Sequence, residues 1–182
     1  MDQLTFRSRR TASPPLNSSV RPHMEVPVRS NASMFLAHTV EPTVAEFEKA
    51  PYDIRRGRLA AIVLYHMADH FALDGFASRE RKLMDQEIAN VRTSVQAKCP
   101  DFAIIRDVAD ASKHAKLASS KKVPRQLSSA EQLSATPGVF QAPFGYGVFA
   151  EAAEVIVTLD DGTTLSLLPA VRTVLATWRS ML

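Results

Sequence analysis

The placement of proline constrains this 182-residue chain more than any other feature. None of its 11 prolines falls between residues 52 and 99, and Pro51 and Pro100 bracket that stretch. A proline inside a helix removes a backbone donor and clashes with the preceding turn, so the proline-free run has room for two long helices. Just before it, Pro42 followed by Val44, Phe47 and Glu48 predicts a short helix with proline in its first turn, ending at Pro51. Asp53 is placed to cap a second helix reaching about Asp74, where Gly75 stops it. Ser78 opens a third, whose Met84, Ile88, Val91 and Val95 form one apolar stripe among charges, as on a surface helix. Pro100 and Asp101 start a fourth, running through about Ala118.

After Ser119 the texture changes. Glycine and proline cluster in residues 137–147, and residues 155–159 then set Val155, Val157 and Leu159 against Ile156 and Thr158. Asp161-Gly162 separates that run from residues 163–168, which predicts a β-hairpin. A third strand is expected at 138–142 or 147–150. A last helix from Pro169 places Val171, Val174, Leu175 and Trp178 on one face. The expected class is α+β: a four-helix N-terminal bundle, a small antiparallel hairpin or sheet, and a C-terminal helix. One globular domain over 34–182 accommodates this, with helices over about 42–118, the hairpin over about 153–168 and the last helix over about 169–181.

Residues 1–33 read differently. They hold six serines, four prolines and five arginines against two acids, without apolar periodicity, as in a disordered basic tail. Arg- and Ser-rich composition also marks organelle transit peptides, and a start assigned too far upstream, with Met34 opening the domain, accounts for it equally well. The formal charge of +3 belongs to this segment, since residues 34–182 carry 17 basic and 17 acidic side chains. Within that neutral body, residues 111–130 hold Lys113, Lys116, Lys121, Lys122 and Arg125 and no acid. Such a run reads first as a solvated loop and second as an edge that contacts phosphates.

A single cysteine, Cys99, excludes an internal disulfide and a cysteine zinc cage, and reads as a small buried apolar residue. No apolar run approaches the length of a membrane span, so the expectation is a cytoplasmic protein with neither a membrane nor a disulfide-linked partner. Asp160-Asp161-Gly162 is explained by a hairpin turn, and the chain has no Gly-x-Ser-x-Gly for serine catalysis.

Polar groups in unexpected places mark the candidate site. On the second helix, with His66 set at zero, Leu59, Ile62, Val63 and Leu73 fall within about 60° of it. His70 and Asp69 fall there too, so both histidines are expected in a core-facing stripe. On the fourth helix Asp107, Asp110 and His114 share a strip about 60° wide at the core border, flanked by Arg106 and Lys113. One reading is structural, with His66 and His70 hydrogen-bonded to Asp107 or Asp110 across two helices of a non-catalytic interaction domain. A second is a zinc, iron or manganese site on His66, His70, Asp107, Asp110 and His114, since i, i+4 histidines point the same way. A third uses no cofactor: Arg106 neutralises a phosphate while His114 transfers a proton to or from a ribose hydroxyl.

In this third reading the helices followed by Arg106-Asp107 and Lys113-His114 resemble the HEPN superfamily, over about residues 52–118. These are small helical bundles of prokaryotic defence and RNA processing, many of them metal-independent ribonucleases that act as dimers. The family motif is an arginine, usually followed by a polar residue, and a histidine with four to six residues between it and the arginine, at most one fewer than the seven here. Arg106, Asp107 and His114 match these types, with seven residues between Arg106 and His114. The resemblance implies an RNA-cleaving or RNA-binding homodimer in which His114 and Arg106 are catalytic. His66, Asp69, His70, Asp107, Asp110 and Lys113 would then orient them or shape the groove.

Overall fold

The computed structural model describes residues 30–118, 124–136 and 153–182. Its first helical segment begins earlier than proline placement suggests. Ser30 caps α1 (Asn31–Phe35), its hydroxyl accepting from the Ser33 amide at 3.1 Å. A π-helical turn, Leu36–Val40, carries the chain into α2 (Glu41–Lys49) without leaving right-handed helical backbone. Pro42 therefore sits inside a continuous helical rod. Its ring has to clear the carbonyl four residues back, and the widened turn lies directly before it, where the helical ladder loosens. Residues 30–33, assigned above to a disordered tail, form the capped start of this rod, and Ala32 is buried.

Asp53 caps α3 (Ile54–Ala72) by accepting from the Arg56 amide at 3.1 Å, and Gly75 follows its end at φ +71°. α4 (Arg81–Lys98) opens three residues after Ser78, whose hydroxyl accepts from the Glu80 amide. Only Val95 of α4 is fully buried, as expected of a surface helix. Cys99 ends it and is buried. α5 (Phe102–His114) is four residues shorter than expected, because Ala115 turns the chain at φ +59°. Leu117 then donates to the Ser128 carbonyl, and Lys116 bridges to Ser129.

A three-stranded antiparallel sheet has the order β1 (Leu133–Ala135), β2 (Val155–Thr158), β3 (Thr164–Ser166). Val157 stands opposite Leu133 on one side and Leu165 on the other. The β2–β3 hairpin turns at Asp160–Gly162, with Gly162 at φ +87°. The third strand is thus 133–135, while the stretches 138–142 and 147–150 proposed for it lie outside the described residues. α6 (Leu167–Met181) starts two residues before Pro169 and buries Val171, Val174, Leu175 and Trp178. The indole of Trp178 donates to the Leu64 carbonyl at 3.0 Å, pinning α6 to the middle of α3. The class is α+β, mostly helical, with a small antiparallel sheet and a closing helix. No helix among the described residues is long and apolar enough to cross a membrane.

The angular reading of α3 is reversed. Its buried face is Gly57, Ala60, Ala61, Leu64, Tyr65, Met67, Ala68 and Ala72, centred about 180° from His66. Leu59 and His70 are exposed, and Ile62, Val63, His66 and Leu73 are half-buried. Both faces of α3 are apolar, and the one rich in alanine and glycine won the core because small side chains let helices approach closely. A Cβ on Gly57 would lie 3.1 Å from Leu167 Cδ2 and 3.2 Å from Phe47 Cε2.

Candidate functional site around α3, α4 and α5

The sequence-selected polar residues fall into two groups that do not merge. The first is centred on Asp107, which is fully buried. Its Oδ1 accepts from Arg106 Nε at 2.8 Å and from Arg125 Nη1 at 3.2 Å, and its Oδ2 accepts from the Gln126 amide at 2.7 Å. Arg125 also donates to Asp110 Oδ2 at 3.0 Å. Arg106 is 7% exposed and spends all three guanidinium nitrogens: Nε on Asp107, Nη1 on Gln96 Oε1 at 3.3 Å, and Nη2 on the Pro124 carbonyl at 2.8 Å. A buried carboxylate requires this density of donors, since an unpaired charge in a core is prohibitively costly. The outcome ties α5 to α4 and to residues 124–126, which lead through buried Leu127 toward β1.

The second group lies on the outer side of α3. His66 Nδ1 pairs with Asp69 Oδ2 at 2.9 Å, and Lys113 of α5 contacts His66 Nε2. Arg92 of α4 donates to Asp69 Oδ1 at 2.7 Å, with its guanidinium carbon 4.2 Å from the centre of the Tyr65 ring. His70 turns away and stacks on Phe35, ring centres 3.6 Å apart and planes 11° from parallel.

Two expectations are corrected by these positions. The cross-links between the helices are not His66 or His70 to Asp107 or Asp110: the aspartates take arginines, His66 takes Asp69 and Lys113, and His70 takes an aromatic ring. The residues assigned to a metal, His66, His70, Asp107, Asp110 and His114, do not converge either. Among the described residues no three His, Cys, Asp or Glu side chains gather to hold a metal ion. His114 is exposed on the last position of α5, about 12 Å along the helix axis from Arg106.

Between α3, α4 and α5 runs a groove of about 570 Å³, with Tyr65, Phe102 and Arg106 at its base and Arg92 and Gln96 on its α4 wall. Burial raises the Tyr65 phenol above its ordinary pKa, an effect the nearby Arg92 partly offsets, so the hydroxyl stays protonated at neutral pH. Arg92, Gln96 and Gln126 escaped the sequence reading, and Arg125 entered it only as part of a basic run. Three carboxylates near the core call for cations, which is a usable signal. It does not say which arginines answer, because Arg125 lies 15 and 18 residues from its partners inside a run that reads as a solvated loop. Comparison with protein-family models, curated proteins and solved structures finds no match to this chain.

Proposed function

We propose that this chain is a non-catalytic interaction domain, in which the Arg–Asp residues of α5 act as a scaffold rather than as an active site. The commitment of Arg106 carries the reading. A phosphate anchor has to present a free guanidinium edge, whereas this one is buried and held by a carboxylate, an amide and a backbone carbonyl. A proton-transfer partner has to reach the same phosphate, whereas His114 is exposed more than two helical turns away. The likeness to HEPN proteins then extends to residue types along α5 and to helical content, without the catalytic pairing of Arg106 and His114.

The test pairs activity with stability. Single-stranded RNA incubated with the protein in chelator is expected to remain intact, with no difference between the wild type and His114→Ala. Asp107→Ala is expected to cost about 3–5 kcal/mol in denaturant unfolding, since it leaves the buried Arg106 charge without its carboxylate. RNA cleavage that His114→Ala abolishes while the helical circular dichroism persists would overturn the proposal.

A further inference from the structure

The groove differs from the rest of the surface in its hydrogen-bonding inventory. Gln96 Oε1 is occupied by Arg106, which leaves the Gln96 amide nitrogen as a donor in the wall. The Tyr65 hydroxyl, a phenol protonated at neutral pH, makes no hydrogen bond among the described residues, so it too can donate. Arg92 uses one terminal nitrogen on Asp69 and keeps about a third of its side chain exposed. Thr93 gives its proton to the Ala89 carbonyl. Among the described residues no carboxylate lines the groove; Asp107, which neutralises Arg106, is fully buried. The α4 wall carries Ala89, Thr93 and Ala97 at i, i+4 and i+8, all exposed. These small side chains share the groove lining with Pro124.

Asp69 takes one terminal nitrogen of Arg92 and leaves the other without a partner among the described residues, and that nitrogen beside two neutral donors selects an oxyanion. The apolar wall and a volume within the usual small-molecule range select an organic body attached to it. We infer that this groove binds a small organic oxyanion, its carboxylate or phosphate head on Arg92, Gln96 and the Tyr65 hydroxyl, its apolar body along Ala89, Ala97 and Pro124. The inference rests on the reading of Arg106 as scaffold, which keeps the base of the groove rigid and its charge compensated from behind.

Calorimetric titration of the full chain with adenosine monophosphate, benzoate and adenosine tests it. Saturable binding of adenosine monophosphate alone assigns a phosphate head, and of benzoate alone a carboxylate head. Neutral adenosine is expected to bind at least about tenfold more weakly than the monophosphate, the scale of one lost charge-assisted hydrogen bond. Arg92→Gln is expected to weaken binding by about tenfold or more. Because Arg92 also holds Asp69, Ala97→Phe supplies an independent variant: it fills the groove from an exposed position and is expected to abolish binding with the melting curve unchanged. Absence of saturable binding by both anions would overturn the inference, as would binding that Ala97→Phe leaves intact. Neither result depends on RNA cleavage, so a failure here is separable from a failure of the scaffold reading.

Discussion

Charged side chains in this protein are decided by whom they meet rather than by where they fall on a helical wheel. Asp107 and His114 occupy neighbouring angles on α5, yet one is sealed in the core and the other is exposed, because only Asp107 is met by two arginines and a backbone amide. Asp74 shows the same logic at the edge of the fold. Hydrogen bonds from the Ser30 hydroxyl and the Ala32 amide hold its carboxyl below the ordinary value of 3.8. The folded state therefore favours the ionised form. The resulting stability is present above that ordinary value and is lost as pH falls through the lowered one. The Tm gap between the wild type and Asp74→Asn is expected to be full at neutral pH and to close below about pH 4. A gap that stays constant down to acid would show that the carboxylate charge contributes nothing there. Asp107 was legible as a residue with a role, and its partners were not, since Arg125 and Gln126 reach it only through the fold.

Elements were more legible than contacts. The Asp53 cap, the Gly75 stop, the surface character of α4 and the β2–β3 hairpin all follow from local chemistry, and the structure has each of them. The error at the N-terminus has a local cause as well. Pro42 is a strong start signal, and only the π-turn ahead of it lets a helix run through. Gly57 lies where α3 comes close to Phe47 and Leu167, and two effects compete there. Alanine gains about 1 kcal/mol of helix propensity, but its Cβ would press on Phe47 and Leu167, both fully buried and unable to retreat. Overpacking costs typically 1–3 kcal/mol, so Gly57→Ala is expected to be destabilising by about 1 kcal/mol in urea unfolding. A gain in stability would mean that α2 or α6 shifts to make room.

At the scale of the whole molecule, α3 is the common partner: α2, α5 and α6 pack on it, Trp178 is hydrogen-bonded to its middle, and the α1–α2 rod lies along it through Phe35 and His70. The rod's first turn belongs to this assembly, since Ala32 is buried and its amide reaches Asp74 across the α3 terminus. A chain begun at Met34 lacks the Ser30 cap and this tie. It is expected to be less stable than the full chain by about 1–2 kcal/mol, from the value of a cap plus a small buried side chain. It should also lose the acid-dependent contribution of Asp74. Equal melting temperatures for the two chains would show that the turn frays in solution.

Capping, proline exclusion and periodicity act over a few residues, so the helices after residue 52, the hairpin and the amphipathic closing helix are legible in the chain alone, as is the neutral charge of residues 34–182 from its composition. Which apolar face of α3 turned inward was decided only by tertiary packing, since both faces satisfy the helical period and the choice depends on how closely α2, α5 and α6 can approach. The same holds for the polar residues. Their types and positions are written in the chain, but buried charges pair with whatever the fold delivers. It delivered arginines to Asp107 and Asp110, and an open donor-lined groove beside them.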